Sequence, residues 1–150
     1  MDDVELANLV ANISRGPVEV GLLERKLADS IGAGKNGMVL LSEYTYDKER
    51  FTHPDILFSD FPLLSLTMRK GYAVKNPERP RHLMMGYIAE EREGRPFKLV
   101  LKATKDDSGI HVETFHRTNF SEFRRLLRQA SKRNSIIRNP YPEIIKRQTE

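Results

Sequence analysis

The sequence predicts an α+β domain in which amino-terminal helices pack on a small antiparallel β-sheet of about four strands, followed by a basic carboxy-terminal helix. Three observations predict this class. Apolar residues recur at helical spacing before residue 70, they alternate with polar residues from residue 72 to residue 117, and the two patterns occupy separate runs. The chain has 150 residues, which is the size of one ordinary domain.

The elements before the sheet are predicted to be mainly helical. Apolar residues at helical spacing predict four helices, over residues 4–14, 18–31, 42–50 and 61–69. Gly16 and Pro17 separate the first two helices, and a short strand, Met38–Leu41, precedes the third. Pro54 disfavours helical geometry in the residue before it, so His53 is expected at a helix end.

After Gly71 the pattern changes to short apolar runs separated by turn-forming residues. These runs predict four strands, over residues 72–74, 82–89, 97–104 and 110–117. The last two have matching lengths and are joined by a polar turn, so we expect them to form an antiparallel hairpin. Asn119 or Ser121 is placed to cap the final helix. The chain beyond Asn134 is rich in turn formers and is expected to lack regular structure.

These elements divide the chain into three segments. Residues 1–36 form an amino-terminal helical segment, residues 37–133 form the α+β domain, and residues 134–150 form a basic tail. No apolar run approaches the roughly 20 residues of a membrane span, and the amino terminus is acidic where a secretory signal is basic. We therefore expect a cytoplasmic protein with no membrane partner.

The positive charge is concentrated at the carboxyl end of the chain. From His116 onward there are nine basic and three acidic residues, a net charge of +6, whereas the preceding residues carry −2. A polyanion such as RNA is the natural partner of such a segment. Four cations on the polar face of the final helix are the predicted nucleic-acid-binding residues: Arg124, Arg125, Arg128 and Lys132.

Three short segments hold residues suited to acid–base chemistry: residues 53–56 (HPDI), 98–104 (KLVLKAT) and 112–118 (VETFHRT). Their order, with helices first and a meander of strands after them, resembles the small nuclease domains of the barnase, EndoU, colicin and RelE-like superfamily, and in particular its phage branch. The resemblance covers about residues 39–128. The residues that carry it are His53, Pro54, Asp55, Lys102, Phe115, His116 and Arg117.

The resemblance implies a metal-independent endoribonuclease of the toxin or phage effector type, without a cofactor, and often with a cognate immunity or antitoxin protein. Such cleavage uses the ribose 2′-hydroxyl as nucleophile, a proton acceptor, a proton donor and cations for the phosphate charge. His116 is the first candidate for proton transfer because histidine titrates near neutral pH. Arg117 or Lys102 would stabilise the phosphate, and His53 completes the candidate catalytic set.

Other chemistries find little support in the sequence. The chain has no cysteine, which excludes disulfides and thiolate chemistry. The four histidines show no metal-ligand spacing such as HExxH, so no metal site is expected, and His82 and His111 are assigned no role. Residues 32–37 are rich in glycine but lack the spacing of a phosphate-binding loop, and there is no nucleophile elbow.

Two further functions remain open on the residues alone. The chain could be a non-catalytic RNA- or DNA-binding module, in which the basic helix contacts phosphates and His116 is an ordinary residue at the end of a strand. It could also be an accessory protein that binds a protein partner through its amino-terminal helices. The binding module predicts affinity for RNA without cleavage, whereas the accessory protein predicts no salt-sensitive RNA binding.

Overall fold

A seven-stranded mixed sheet lies at the centre of the computed structural model, which describes residues 8, 11–106 and 108–149 and the side chains up to residue 145. The spatial order is β1-β2-β6-β5-β4-β3-β7. Every neighbouring pair is antiparallel except β2 and β6. The strands are β1 (Val18–Leu22), β2 (Met38–Leu41), β3 (Tyr72–Lys75), β4 (His82–Ala89), β5 (Arg95–Ala103), β6 (Ile110–Arg117) and β7 (Ile136–Arg138).

Five helices accompany this sheet in the described part of the chain: α1 (Arg25–Ser30), α2 (Glu43–Thr52), α3 (Leu63–Lys70), α4 (Phe120–Lys132) and α5 (Pro142–Thr149). Two of them have side-chain caps. The Ser42 hydroxyl accepts a hydrogen bond from the Thr45 amide at 3.2 Å, and the Asn119 side chain accepts one from the Glu122 amide at 2.8 Å. Among these residues no helix combines the length and the apolar character that crossing a bilayer demands.

The fold is α+β, as predicted, but the sheet is larger and the element order differs. The prediction of one helix over residues 18–31 was wrong, because residues 18–22 form β1 and only Arg25–Ser30 is helical. Val18 and Val20 alternate into the core and their strand pairs with β2, so a distant partner overrides the local helical spacing. The helix predicted over residues 4–14 lies largely outside the described residues.

The expectation of an irregular tail after Asn134 was also wrong. Ile136–Arg138 pairs with β3 as the edge strand β7, and α5 follows it. The basic helix α4 is therefore not the last element of the chain. Ile144 is buried against α4 and β3, so apolar side chains spaced along a turn-rich segment were enough to attach it to the domain.

The hairpin of β5 and β6 is confirmed, and it contains a bulge that the sequence did not indicate. The strands pair from Phe97 opposite Arg117 to Ala103 opposite Ile110. Between Thr114 and Val112 the register shifts by one residue, which leaves Glu113 as the extra residue. After the bulge Phe115 and Arg117 face the same side as Val112, and His116 faces the other side.

The two faces of the sheet carry two separate cores. One face packs Leu99 and Phe115 against the side of the domain that contains α3. The other packs Tyr72 against Phe123 of α4, with ring centroids 4.8 Å apart. Gly86 makes this second contact possible, because a Cβ at that position would lie 2.5 Å from the Tyr72 ring and 2.8 Å from the Phe123 ring.

Asp60 is fully buried and joins three distant parts of the chain. Its carboxylate accepts hydrogen bonds from Arg92 Nε at 2.8 Å, Arg117 Nε at 2.9 Å and the Leu57 amide at 2.9 Å. Burial alone would raise the pKa of Asp60, but Arg117, the Leu57 amide and Arg92 together hold it below the ordinary value. Asp60 therefore connects the turn before α3 to the turn after β4 and to the end of β6.

We expect Asp60→Asn to lower the free energy of unfolding by about 3 to 5 kcal/mol, because it leaves two arginines beside a neutral group in the interior. The matched control is Asp29→Asn, which breaks an exposed ion pair with Arg25 and should cost less than about 1 kcal/mol. Urea denaturation of both variants measures the difference. Equal losses would contradict a structural role for the buried carboxylate.

The same comparison has a defined pH dependence. A carboxylate whose pKa is lowered by folding stabilises the fold above its unfolded pKa and loses that contribution as the pH falls through the folded value. The difference in the free energy of unfolding between the native chain and Asp60→Asn should therefore be largest above about pH 4. It should decrease as the pH falls further.

Candidate active site

The candidate site lies where the edge of β6 is not covered by β2. The two parallel strands pair only at Val39 with Ile110 and at Leu40 with His111, and the chain then enters α2. Helix α2 takes the place of the missing strand. Lys48 Nζ donates a hydrogen bond to the Glu113 carbonyl oxygen at 2.7 Å, which holds α2 against the middle of β6.

Two histidines meet at this edge. His53 is the residue that ends α2, and its amide donates to the Glu49 carbonyl oxygen at 2.8 Å. Its ring stacks on that of His116, with centroids 3.8 Å apart and planes 13° apart. The fold thus brings together two of the four catalytic candidates, which are separated by more than sixty positions in the sequence.

Only one nitrogen of the His116 ring makes a hydrogen bond with the part of the chain that the structure describes. His116 Nδ1 lies 2.7 Å from the carbonyl oxygen of Arg117. Because a carbonyl oxygen can only accept, we assign the ring proton to Nδ1, and Nε2 of the neutral ring keeps its lone pair. Nε2 is therefore available as a base or as a ligand.

The surroundings of His116 favour this neutral form. Burial lowers the pKa of His116 below its ordinary value of 6.5, and the charges of His53 and Lys98 act in the same direction. The hydrogen bond to Arg117 opposes these effects only in part. Lys98 is close because it lies directly opposite His116 in the ladder of β5 and β6.

Glu49 is the third member of the cluster. Its side chain is 3% exposed, and its Oε2 lies 3.7 Å from His53 Nε2. This oxygen has no hydrogen-bond partner among the residues that the structure describes. Burial raises the pKa of Glu49, although Lys48, His53 and the Phe115 amide act to lower it. The sequence analysis missed Glu49, whose position four residues before His53 on one helix was the signal that could have found it.

The other two catalytic candidates lie elsewhere. The Arg117 side chain points to the opposite face of the sheet and binds Asp60, so only its backbone carbonyl contacts the histidine pair. Lys102 pairs with His111, whereas Lys98 pairs with His116. The two lysines are four positions apart in β5, which corresponds to about 13 Å along the strand. The alternation in the sequence places both lysines on the same face of β5. Only the pairing of β5 with β6 shows that Lys98 is the neighbour of His116.

A cleft of about 600 Å³ crosses the sheet face on which Lys98 and Thr114 lie. Three cations and two carboxylates give it a mixed charge: Lys48, Arg79, Lys98, Glu78 and Glu113. His82 contacts Glu113 there, with Nε2 and Oε2 3.0 Å apart. Lys98 lines this cleft and lies opposite His116 in the ladder of β5 and β6, so one side chain connects the cleft to the histidine pair.

The predicted nucleic-acid-binding residues of α4 lie together around a shallow surface cavity of about 370 Å³. Several of these cations already have local contacts. Arg125 binds Glu122 at 2.8 Å, and Arg124 lies over the Phe120 ring at 5.8 Å. Glu122 also lies 3.8 Å from Lys98, so the amino-terminal end of α4 lies next to the cleft.

Comparison with models of known protein families, with characterised proteins and with solved structures gave no match. The chemistry available to the site follows from its own geometry. That geometry consists of a neutral imidazole with a free Nε2, a second imidazole stacked on it, an ammonium group on the adjacent strand and a buried carboxylate.

Proposed function

We propose that this chain is a metal-independent endoribonuclease that cleaves RNA through attack of the ribose 2′-hydroxyl on the adjacent phosphate. The observation that carries the proposal is the Nε2 of His116, which lies next to the stacked ring of His53 and faces Lys98, a residue that also lines a partly cationic cleft. An effector role against cytoplasmic RNA, with a cognate immunity or antitoxin protein, belongs to the same proposal and follows from the resemblance in the sequence.

In this mechanism the residues of the cluster have separate tasks. His116 Nε2 accepts the proton of the 2′-hydroxyl, whose oxygen attacks phosphorus. The bond from phosphorus to the 5′ oxygen breaks, and protonated His53 supplies the proton to that oxygen. The products are a 2′,3′-cyclic phosphate and a 5′-hydroxyl end. Lys98 faces His116 from the adjacent strand and stabilises the charge that develops on the phosphoryl oxygens.

This assignment requires the stack to open when RNA binds. In-line displacement places the proton acceptor and the proton donor on opposite sides of phosphorus, whereas the two rings are in contact at 3.8 Å. His53 is the ring that can turn, because its side chain is 35% exposed at the end of a helix. His116 is held by its bond to Arg117, whose side chain is in turn held by Asp60.

A second function, RNA binding without cleavage, is favoured by the basic face of α4. Its four cations surround one surface cavity and lie beside the cleft through Glu122 and Lys98. Such a surface neutralises phosphates whatever the base sequence. The two functions differ in one result, which is whether RNA is cut.

We expect the purified chain to cleave RNA in the presence of EDTA and to leave 2′,3′-cyclic phosphate and 5′-hydroxyl ends. The substrate is an RNA oligonucleotide, and its matched control carries a single 2′-deoxyribose at the main cleavage position. Removal of that hydroxyl removes the nucleophile, so cleavage there should cease. Linear 3′-hydroxyl products, a requirement for magnesium or cleavage at the deoxyribose would contradict the mechanism. Binding without cleavage would support the second function.

We expect His116→Ala to slow cleavage by about 100-fold or more while the affinity for RNA changes little, because the variant loses a proton-transfer group. His111→Ala is the control, since it removes a histidine from the same strand and face at a position opposite Lys102. Single-turnover rates and equilibrium binding are measured for both variants, with circular dichroism to check folding. A wild-type rate for folded His116→Ala would leave the histidine without a catalytic role.

We expect the combined change of Arg124, Arg125 and Arg128 to glutamine to weaken RNA binding to a similar degree for different sequences. The slope of log K against log salt should become shallower by about 0.7 units for each phosphate that the variant no longer neutralises. A control with the same charge change replaces Lys26, Arg69 and Lys70, which are exposed on other helices. An unchanged slope in the folded triple variant would show that this face of α4 does not contact RNA.

A further inference from the structure

Three side chains of the histidine cluster place possible metal-ligand atoms close together. Glu49, His53 and His116 each offer one such atom, and these atoms lie within 4.8 Å of one another. Two neighbouring ligands of a tetrahedral zinc ion lie about 3.4 Å apart, given bond lengths of about 2.0 to 2.2 Å. The separation of 3.7 Å between Glu49 Oε2 and His53 Nε2 is already close to that value.

The buried oxygen of Glu49 independently points to a cation. Glu49 Oε2 is enclosed and lacks a hydrogen-bond donor among the described residues, whereas the other oxygen, Oε1, lies 3.5 Å from Lys48 Nζ. Its distance of 3.7 Å from His53 is longer than a hydrogen bond. A buried carboxylate oxygen without a partner is costly, and it is stabilised by pairing or by coordination of a metal. The oxygen is turned toward the histidine pair, where a metal would provide that partner.

The hydrogen bond of His116 matches the pattern of a metal ligand. Histidines that bind a metal commonly donate the other ring N–H to a carbonyl oxygen or a carboxylate, which fixes the tautomer. His116 Nδ1 makes such a bond with the Arg117 carbonyl oxygen, which leaves Nε2 as the ring nitrogen that can bind a metal. The Asp60–Arg117 ion pair holds the residue that provides this carbonyl.

From these observations we propose that Glu49 Oε2, His53 and His116 Nε2 form a binding site for one divalent transition-metal ion, with zinc as the best fit. Two imidazoles and one carboxylate suit zinc better than magnesium or calcium, which prefer oxygen ligands throughout. Three protein ligands leave a fourth position open to water or another small ligand.

Metal binding requires one movement within the cluster. The lone pair of an imidazole lies in the plane of the ring, and two rings only 13° from parallel cannot both direct lone pairs at one ion. One ring must turn about its χ2 bond. His53 is the partly exposed ring at the end of α2, so it is the one that turns while Glu49 and His116 stay in place.

The proposal goes beyond the ribonuclease function, which needs no metal, and it predicts competition at the same nitrogen. Zinc on His116 Nε2 occupies the lone pair that would accept the proton. If the proposed function holds, zinc should inhibit cleavage over the concentration range in which it binds, and EDTA should restore the rate. If zinc binds but does not inhibit cleavage of RNA, the predicted competition at His116 Nε2 is wrong, and the metal site itself still stands. Binding by a chain that cuts no RNA would leave the metal site in place and contradict the ribonuclease.

The deciding experiment is calorimetric titration of the EDTA-treated and dialysed chain with zinc chloride, together with the absorption spectrum of cobalt added in its place. We expect one ion per chain and a cobalt spectrum typical of four or five ligands that include nitrogen. His53→Ala should weaken binding by about ten-fold or more. Glu49→Gln and His116→Ala should do the same, and His111→Ala, which removes a histidine outside the cluster, should not.

Loss of the buried Glu49 carboxylate can unfold the chain, so the test rests first on the variant of the partly exposed histidine. His53 is partly exposed, so its replacement is the variant expected to fold even if loss of buried Glu49 destabilises the chain. Absence of zinc and cobalt binding would overturn the site, and the Glu49–His53 contact would then be an ion pair. Binding of equal strength in native and folded His53→Ala protein would also overturn it, because the ion would then lie elsewhere.

Discussion

The buried ion pair between Asp60 and Arg117 is the interaction on which the site depends. Asp60 lies in the turn between α2 and α3, and Arg117 is the last residue of β6, so the pair fixes the end of this strand against the turn that follows α2. The carbonyl oxygen of Arg117 then orients the His116 ring. A buried charge that satisfies two arginines and a backbone amide holds its neighbours tightly, because loss of any partner leaves an uncompensated charge.

The part of the β6 edge that β2 does not pair with explains where the candidate site lies. Beyond Leu40 the parallel strand β2 gives way to α2, which covers the edge with side chains in place of a ladder. An edge covered by side chains brings ionisable groups next to a strand, which a paired strand does not do. The bulge at Glu113 then sets which face the later residues of β6 take, so that His116 meets His53 and Lys98 while Phe115 enters the core.

The same properties make the histidine cluster suitable for a proton and for a metal ion. Burial and nearby positive charge keep the His116 ring neutral, and a neutral imidazole is required of both a general base and a metal ligand. Glu49 distinguishes the two roles. Its buried and unpartnered oxygen contributes nothing to the proposed proton transfers, whereas it completes a set of three metal ligands. A metal ion at this position would therefore inhibit the ribonuclease, because it would compete with the proton for the lone pair of His116 Nε2.

The sequence by itself determined the α+β class, the β5–β6 hairpin and the helix α4, because each rests on a local pattern of apolar spacing or turn residues. Tertiary structure decided the rest. Residues 18–22 became a strand because β2 offered a partner, and the register of β5 placed Lys98 rather than Lys102 beside His116. The cluster of Glu49, His53 and His116 depends on how α2 packs against the edge of β6. Contacts between distant residues leave no periodic signal in a single sequence, so only the fold could reveal them.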